Sequence, residues 1–119
     1  MNEAPVLDGA VMARLREWGG EELPRRMIEI FLSHTPPRMT QIRDGLAEGD
    51  PKRVEAGAHS LKSSAANLGA TRLQRILQEM ETLAGKQELE SLEKCLPGLE
   101  EAFSAAWEAL RNLMEGMDR

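Results

Sequence analysis

Three residues within about one turn of a predicted helix have the chemistry needed to hold a phosphoryl group. His59 is one of two histidines in the chain, Lys62 follows it by three residues and Ser63 by four. Such positions are neighbours on a helix surface. A neutral imidazole is a nucleophile near physiological pH, and an ammonium and a hydroxyl can donate hydrogen bonds to phosphoryl oxygens. If His59 accepted a phosphoryl group, Lys62 could reach the new negative charge and Ser63 could donate a further hydrogen bond, but the spacing taken alone fits an ordinary surface histidine better.

The helix that carries His59 is predicted to span about 51–68. Asp50 can cap its start, Pro51 suits the first helical position, and Gly69 suits a left-handed exit. At about 100° per residue, the apolar side chains fall on one side of this helix and His59 on the other. The side expected to face the core consists of Val54, Ala58, Leu61, Ala65 and Leu68. We therefore expect His59 to be exposed and accessible to a partner protein.

Amphipathic patterns recur along the rest of the chain. Apolar residues three or four positions apart predict helices near 9–18, from about 21 to the pair Pro36-Pro37, over 39–47, over 71–84 and from 89 to 113. Thr71 and Gln74 have the spacing of a capping box at the start of the 71–84 segment. The last stripe keeps its phase through Pro97, which favours one kinked helix over two separate ones.

These segments predict an all-α fold. No strand-like alternation occurs, and short loops between amphipathic helices imply antiparallel neighbours. The expected architecture is an antiparallel (up-down) four-helix bundle with one or more additional short N-terminal helices. A chain of 119 residues fits a single domain over 1–119, and residues 1–7 are predicted to form a short arm before the first helix.

Composition makes several other functions improbable. The net charge of −5 does not favour a nucleic-acid binder. Cys95 is the only cysteine and the two histidines lie far apart, so we expect no disulfide and no metal site. No glycine-rich nucleotide loop, signal peptide or bilayer-spanning stretch is visible. We therefore expect a cytoplasmic protein with no cofactor of its own and no direct membrane contact.

The run His59-Ser60-Leu61-Lys62-Ser63-Ser64-Ala65-Ala66-Asn67-Leu68-Gly69-Ala70 resembles the signature of histidine-containing phosphotransfer (HPt) domains. That pattern is roughly H-x-L-K-G-S/A-S/A-x-x-L-G-A. Gly19-Gly20-Glu21-Glu22 and Gly49-Asp50 are also similar to the family, and the resemblance extends from about Val6 to Leu113. Ser63 departs from the pattern, because the family often has glycine at that position.

The resemblance implies a phosphoryl carrier without kinase activity of its own. HPt domains accept phosphate on the histidine from a receiver-domain aspartate or a sensor histidine kinase and pass it to a response regulator. The Mg²⁺ would then belong to the partner receiver domain, and the chain is expected to be a monomer. We expect a docking surface with an apolar centre and a polar rim. Its candidate residues are Met12, Glu55, Ala56, Ala66, Gln74 and Gln78, with Glu81 on the same flank as the two glutamines.

Two functions in which His59 is not phosphorylated remain as alternatives. The chain could be a helical docking module that binds a receiver or kinase without being phosphorylated. It could also be a structural bundle, dimeric through its last helix, in which His59 has no role. His34 has no lysine three residues later and no surrounding signature. We therefore interpret His34 as an ordinary surface residue.

Overall fold

Five α-helices make up the part of the chain that the computed structural model describes, residues 4–118. The helices are α1 (Gly9–Gly19), α2 (Glu22–Ala47), α3 (Pro51–Asn67), α4 (Thr71–Gly85) and α5 (Leu89–Met117). Helices α2 to α5 form a four-helix bundle, and the short α1 packs on α2. Residues 4–118 contain no strand. The predicted all-α bundle with a short N-terminal helix is therefore confirmed.

The prediction that a helix ends at Pro36-Pro37 is wrong, because α2 continues through both prolines to Ala47. A proline inside a helix removes a backbone hydrogen bond and costs about 3 kcal/mol or more. Here the apolar stripes before and after the prolines share one phase, so a continuous helix buries Phe31 and Ile42 on the same face. The buried hydroxyl of Thr35 donates to the Phe31 carbonyl over 2.6 Å. Burial over the whole length of the helix offsets the local cost.

Helix α5 also contains a proline and stays continuous, as the sequence predicts. Pro97 lies inside the Leu89–Met117 helix. Leu92, Leu99 and Leu110 on this helix are fully buried. The long apolar stripe of α5 therefore packs along the bundle.

The core face of α3 matches the helical-wheel prediction. All five residues expected to face the core are buried, and none is more than 1% exposed. Helix α2 approaches this helix closely at Gly57, where an added Cβ would lie 2.9 Å from Ile42 Cγ1 and 3.5 Å from the Arg38 carbonyl oxygen. A side chain at residue 57 would push the two helices apart. Glycine there brings α2 close to the helix that carries His59.

Both ends of α3 have the predicted caps. The Asp50 carboxylate accepts a hydrogen bond from the Arg53 amide over 3.1 Å, and Pro51 takes the first turn. At the other end Gly69 has φ +70. The Ala70 amide donates to the Ala65 carbonyl and the Gly69 amide to the Ala66 carbonyl, which is a Schellman motif. These caps fix where the helix begins and ends.

Helix α4 starts differently from the prediction. Ala70 is its N-cap residue and no side chain caps it. The Thr71 hydroxyl donates instead to the Gly69 carbonyl over 3.1 Å. The capping box predicted for Thr71 and Gln74 is therefore absent, because the turn at Gly69 is too tight to leave Thr71 outside the helix.

The described part of the predicted arm, residues 4–7, is not helical and packs against the turn between α3 and α4. The Arg72 amide donates to the Pro5 carbonyl over 3.2 Å, and the Asp8 amide donates to the Gly69 carbonyl over 2.7 Å. Ala4 is 8% exposed. Residues 1–3 of the arm lie outside the described residues. The segment before α1 thus packs against the C-terminal end of α3, the helix that carries His59.

Candidate functional site

His59 lies on the outward face of α3, and its side chain is 65% exposed. One ring nitrogen, Nδ1, points to the neighbouring helix α4 and lies 2.8 Å from Oε2 of Glu81. The site therefore combines an accessible ring with a carboxylate partner on one of its two nitrogens.

Glu81 also binds the lysine of the predicted site. Lys62 Nζ lies 2.6 Å from Glu81 Oε1 and donates to Gln78 Oε1 over 2.9 Å. Glu81 Oε1 is shielded from solvent, so its charge is balanced by the ion pair with Lys62. Both side chains are about one-fifth exposed, Lys62 at 22% and Glu81 at 21%. One carboxylate thus joins the imidazole and the ammonium through its two oxygens.

The ion pair keeps Glu81 ionised. Its contact with Lys62 lowers the pKa of the Glu81 carboxyl below the usual value of 4.5, and the hydrogen bond with His59 lowers it further, although partial burial acts in the opposite direction. An ionised carboxylate can only accept hydrogen bonds. We therefore assign the proton of the neutral ring to Nδ1, which leaves the lone pair on Nε2.

The serines near His59 bond within the scaffold. Ser63 donates to the His59 carbonyl over 3.3 Å, and Ser64 donates to the Ser60 carbonyl over 3.4 Å. Ser60 Oγ accepts a hydrogen bond from Arg38 Nε on α2 over 3.1 Å. The predicted donor Ser63 is exposed beside the ring. Its hydroxyl must leave the backbone carbonyl before it can donate to a phosphoryl group.

Most of the predicted docking residues lie around the ring, but Met12 does not. Ala56 and Ala66 are exposed on the same face of α3, and Gln78 is exposed on α4. Gln74 and Glu55 are half-buried on that flank. Met12 is 4% exposed and belongs to the core, so its prediction as a surface residue is wrong. Its position in the apolar stripe of α1 requires that burial.

An apolar hollow lies beside the same face, between α2 and the end of α3. It measures about 110 Å³ and is lined by Met27, Ile30, Phe31, Ser64, Asn67 and Leu68. Ile30 is 49% exposed, which is high for a large apolar side chain. An exposed apolar side chain at the rim of such a hollow can contribute to the apolar centre of a docking surface.

Two residues of this site have no chemical role in the sequence prediction, which places Glu81 only at the border of His59 and does not include Arg38. The sequence does hold a signal for Glu81. Ala70 lies in the tight turn, with His59 eleven positions before it and Glu81 eleven positions after it. Lys62 and Gln78 lie eight positions before and after the same residue. In an antiparallel pair these residues meet. No comparable signal points to Arg38, because its position depends on the close approach at Gly57.

The second histidine has no such surroundings. His34 is exposed on α2, and no hydrogen bond of its ring occurs among residues 4–118. In the same part of the chain, no three His, Cys, Asp or Glu side chains gather as metal ligands. No helix there is long and apolar enough to cross a membrane.

Comparison with known proteins agrees with this arrangement. The family model described as Hpt domain matches residues 26–117. The fold is similar to the crystal structure of histidine-containing phosphotransfer protein B (HptB) from Pseudomonas aeruginosa PAO1, with a TM-score of 0.86 and 27% sequence identity. That alignment covers 94% of this chain and 96% of the other. No curated protein matches. The chain belongs to the Hpt domain family, whose members carry phosphoryl groups in phosphorelays.

Proposed function

We propose that this chain is the histidine phosphotransfer intermediate of a multistep phosphorelay, with His59 as the phosphoacceptor. It would accept a phosphoryl group from a receiver-domain aspartate or a sensor histidine kinase and pass it to a response regulator. The observation that carries the proposal is the 2.8 Å contact between His59 Nδ1 and ionised Glu81, on a ring that is 65% exposed. That contact leaves Nε2 with its lone pair for an approaching phosphorus atom.

The bond changes of the chemical step take place at Nε2 of His59. The Nε2 lone pair forms a bond to phosphorus while the bond between phosphorus and the aspartyl oxygen breaks, and the bonding electrons leave on the aspartate carboxylate. The ring gains positive charge as Nε2 gives up its lone pair. Nδ1 keeps its proton, and Glu81 stabilises the charged ring through the existing hydrogen bond. The return step reverses these changes on the next receiver.

Lys62 is the group best placed to bind the transferred phosphoryl oxygens. Its ammonium has three N–H donors, and its acceptor contacts are with Gln78 and Glu81. One donor is therefore available for a phosphoryl oxygen one helical turn from the ring. Phosphoryl transfer depends mainly on positioning and on such charge stabilisation. The Mg²⁺ would come with the partner receiver, which holds it through its own carboxylates.

The test is a phosphotransfer profile with each histidine changed in turn. Wild type, His59→Gln and His34→Gln are mixed with a panel of phosphorylated receiver domains, and the label is identified as acid-labile phosphohistidine. We expect equal labelling of wild type and His34→Gln and none of His59→Gln. Label retained by His59→Gln would overturn the assignment.

The alternative function, a docking module that is never phosphorylated, gives a different result. Such a module would bind a receiver but take up no label from any of them, and His59→Gln would change nothing in the signalling output. Binding and labelling are therefore measured on the same receiver. The proposed monomeric state and cytoplasmic setting stay predictions of the sequence.

A further inference from the structure

We infer that Arg38 is a docking residue that selects a partner with carboxylates beside its phosphoaspartate, through a cationic edge on the α2 side of His59. This inference rests on the proposed function and adds to it. It assigns the charge of the partner surface and names the residue that recognises it. Lys62 and Glu81 act on the α4 side of the ring, so the two sides have separate tasks.

Arg38 is held by a hydrogen bond and not by a carboxylate. Its guanidinium has five N–H donors, and among residues 4–118 its bond to another residue is the 3.1 Å hydrogen bond from Nε to Ser60 Oγ. Four other arginines are paired with carboxylates: Arg16 with Glu21, Arg25 with Asp118, Arg43 with Glu100 and Arg53 with Glu48. Arg38 is therefore held in place while the fork of its terminal nitrogens stays available to a carboxylate.

Arg38 also lies close to the phosphoacceptor turn of α3. Ser60 follows His59 directly, so the guanidinium that it binds lies next to the phosphoacceptor turn. The close approach of α2 and α3 at Gly57 sets this distance. Exposed Ala56 leaves the space in front of the arginine open, and exposed Lys52 lies one turn further along α3. Arg38 and Lys52 together form the cationic edge.

Charge is distributed unevenly over the helices. Helix α3 carries three cations, Lys52, Arg53 and Lys62, against the single carboxylate of Glu55, for a net charge of +2. Helix α5 carries six glutamates against Lys94 and Arg111, for a net charge of −4. Among the helices, the excess of negative charge therefore lies on α5 and not on the helix that carries His59.

A phosphoaspartate site has the complementary charge. Mg²⁺ at such a site is held by carboxylates and phosphate oxygens, so the rim of the partner pocket is acidic. Complementary charges on two docking surfaces raise the association rate and fix orientation. The apolar hollow at Ile30 lies two turns before Arg38 on the same helix. The docking surface therefore has an apolar contact at one end and a cation at the other, and this difference fixes the orientation of the partner.

The experiment measures association with the receiver domain that exchanges phosphate fastest in the transfer profile, by stopped flow over a series of salt concentrations. The variants are Arg38→Ala, Arg38→Lys and Arg38→Glu. Arg111→Ala is the matched control, because Arg111 is exposed and lies on α5, on another side of the bundle. Circular dichroism establishes that each variant is folded.

We expect Arg38→Ala to lower the association rate at low salt about threefold to tenfold and to reduce its salt dependence. Arg38→Glu should lower the rate further, and Arg38→Lys should retain most of it. Arg111→Ala should match wild type. The transfer rate at saturating receiver should stay within about twofold of wild type in all of them, since Arg38 does not touch the ring.

Two results would overturn the inference. If Arg38→Ala and Arg111→Ala have the same association rate and salt dependence, Arg38 has no docking role. If Arg38→Ala slows saturated transfer but not association, then Arg38 positions His59 through Ser60 instead. In either case labelling of His59 remains, so the proposed function survives. Loss of labelling from His59 by every receiver would instead remove the proposed function and the inference with it.

Discussion

The two histidines of the chain differ in the helix that faces them and not in their accessibility. Both lie on exposed helix surfaces, His59 on α3 and His34 on α2. Helix α4 supplies Glu81 at 2.8 Å from the ring of His59, and the same carboxylate holds Lys62. Among residues 4–118 nothing comparable faces His34.

This difference indicates where the proposed reactivity of His59 comes from. Exposure makes a ring accessible, but a carboxylate on one nitrogen fixes the tautomer and leaves the lone pair on the other. That carboxylate comes from a separate helix, so the tautomer of His59 depends on the packed pair α3 and α4.

The largest effect is expected when Glu81 is removed. Glu81→Ala deletes the hydrogen bond to Nδ1, so the ring loses both its orientation and its preferred tautomer. Carboxylates that orient a metal-binding imidazole contribute about tenfold to a hundredfold to metal affinity or activity, and we expect loss of Glu81 to slow phosphotransfer to His59 by a similar factor. Glu81→Gln, which keeps an acceptor but loses the charge, should fall between Glu81→Ala and wild type. The measurement is the single-turnover transfer rate.

The control for this prediction is Glu79→Ala. Glu79 is exposed on the same helix two residues earlier, so the variant loses one carboxylate without touching the ring. It should transfer at the wild-type rate. Equal transfer rates for Glu81→Ala and wild type would show that the contact with Glu81 contributes nothing to phosphotransfer by His59.

Removing Lys62 is expected to have the next largest effect. One charge-assisted hydrogen bond of about 1.5 kcal/mol corresponds to about tenfold in rate, so Lys62→Ala should slow transfer by about that factor. The lysine is also the main cause of the lowered pKa of Glu81, so that pKa should rise in the variant. Lys86→Ala, at an exposed position after α4, is the matched control. Transfer by Lys62→Ala at the wild-type rate would contradict a role in binding the phosphoryl group.

The pH dependence of stability tests the ion pair without any partner protein. The pKa of Glu81 is lowered in the folded state, so the unfolded chain binds its proton at higher pH than the folded chain does. The stability contributed by Glu81 is therefore complete above its unfolded value near 4.5 and is lost as the pH falls through the lower folded value.

In urea unfolding between about pH 7 and about pH 3, wild type should therefore lose stability relative to Glu81→Gln on the acid side. Glu100, whose pKa is lowered by its hydrogen bonds with Arg43, contributes equally to both variants. If the free energies of unfolding of the two proteins change with pH in parallel, the ion pair between Glu81 and Lys62 adds nothing to stability.

The sequence predicts α3 well, where the signal is local, and fails at Pro36-Pro37 of α2, where tertiary packing decides. Asp50, Pro51 and Gly69 define α3 by caps that act within a few residues, and these predictions are confirmed. The break at Pro36-Pro37 is wrong because distant core contacts offset the cost of both prolines.

The site divides in the same way. The outward direction of His59 follows from the period of its own helix. The contact with Glu81 depends on the register of two helices, which the tight turn sets but a single-helix wheel does not show. The position of Arg38 needs a third helix and a glycine contact, and no pattern within one element predicts it.

The smallest effect is expected at the end of α4, where Gln87 has φ 60 in a Schellman motif. The corresponding position in the Schellman motif at the end of α3 is a glycine, Gly69. A non-glycine residue in that conformation costs about 1–2 kcal/mol, partly offset by the greater unfolded freedom of glycine. Gln87→Gly should therefore stabilise the protein by about 0.5–1 kcal/mol in urea unfolding. Transfer to His59 should not change, because Glu81 is more than one turn away. A faster rate in this variant would mean that rigidity of α4, and not the carboxylate alone, distinguishes His59 from His34.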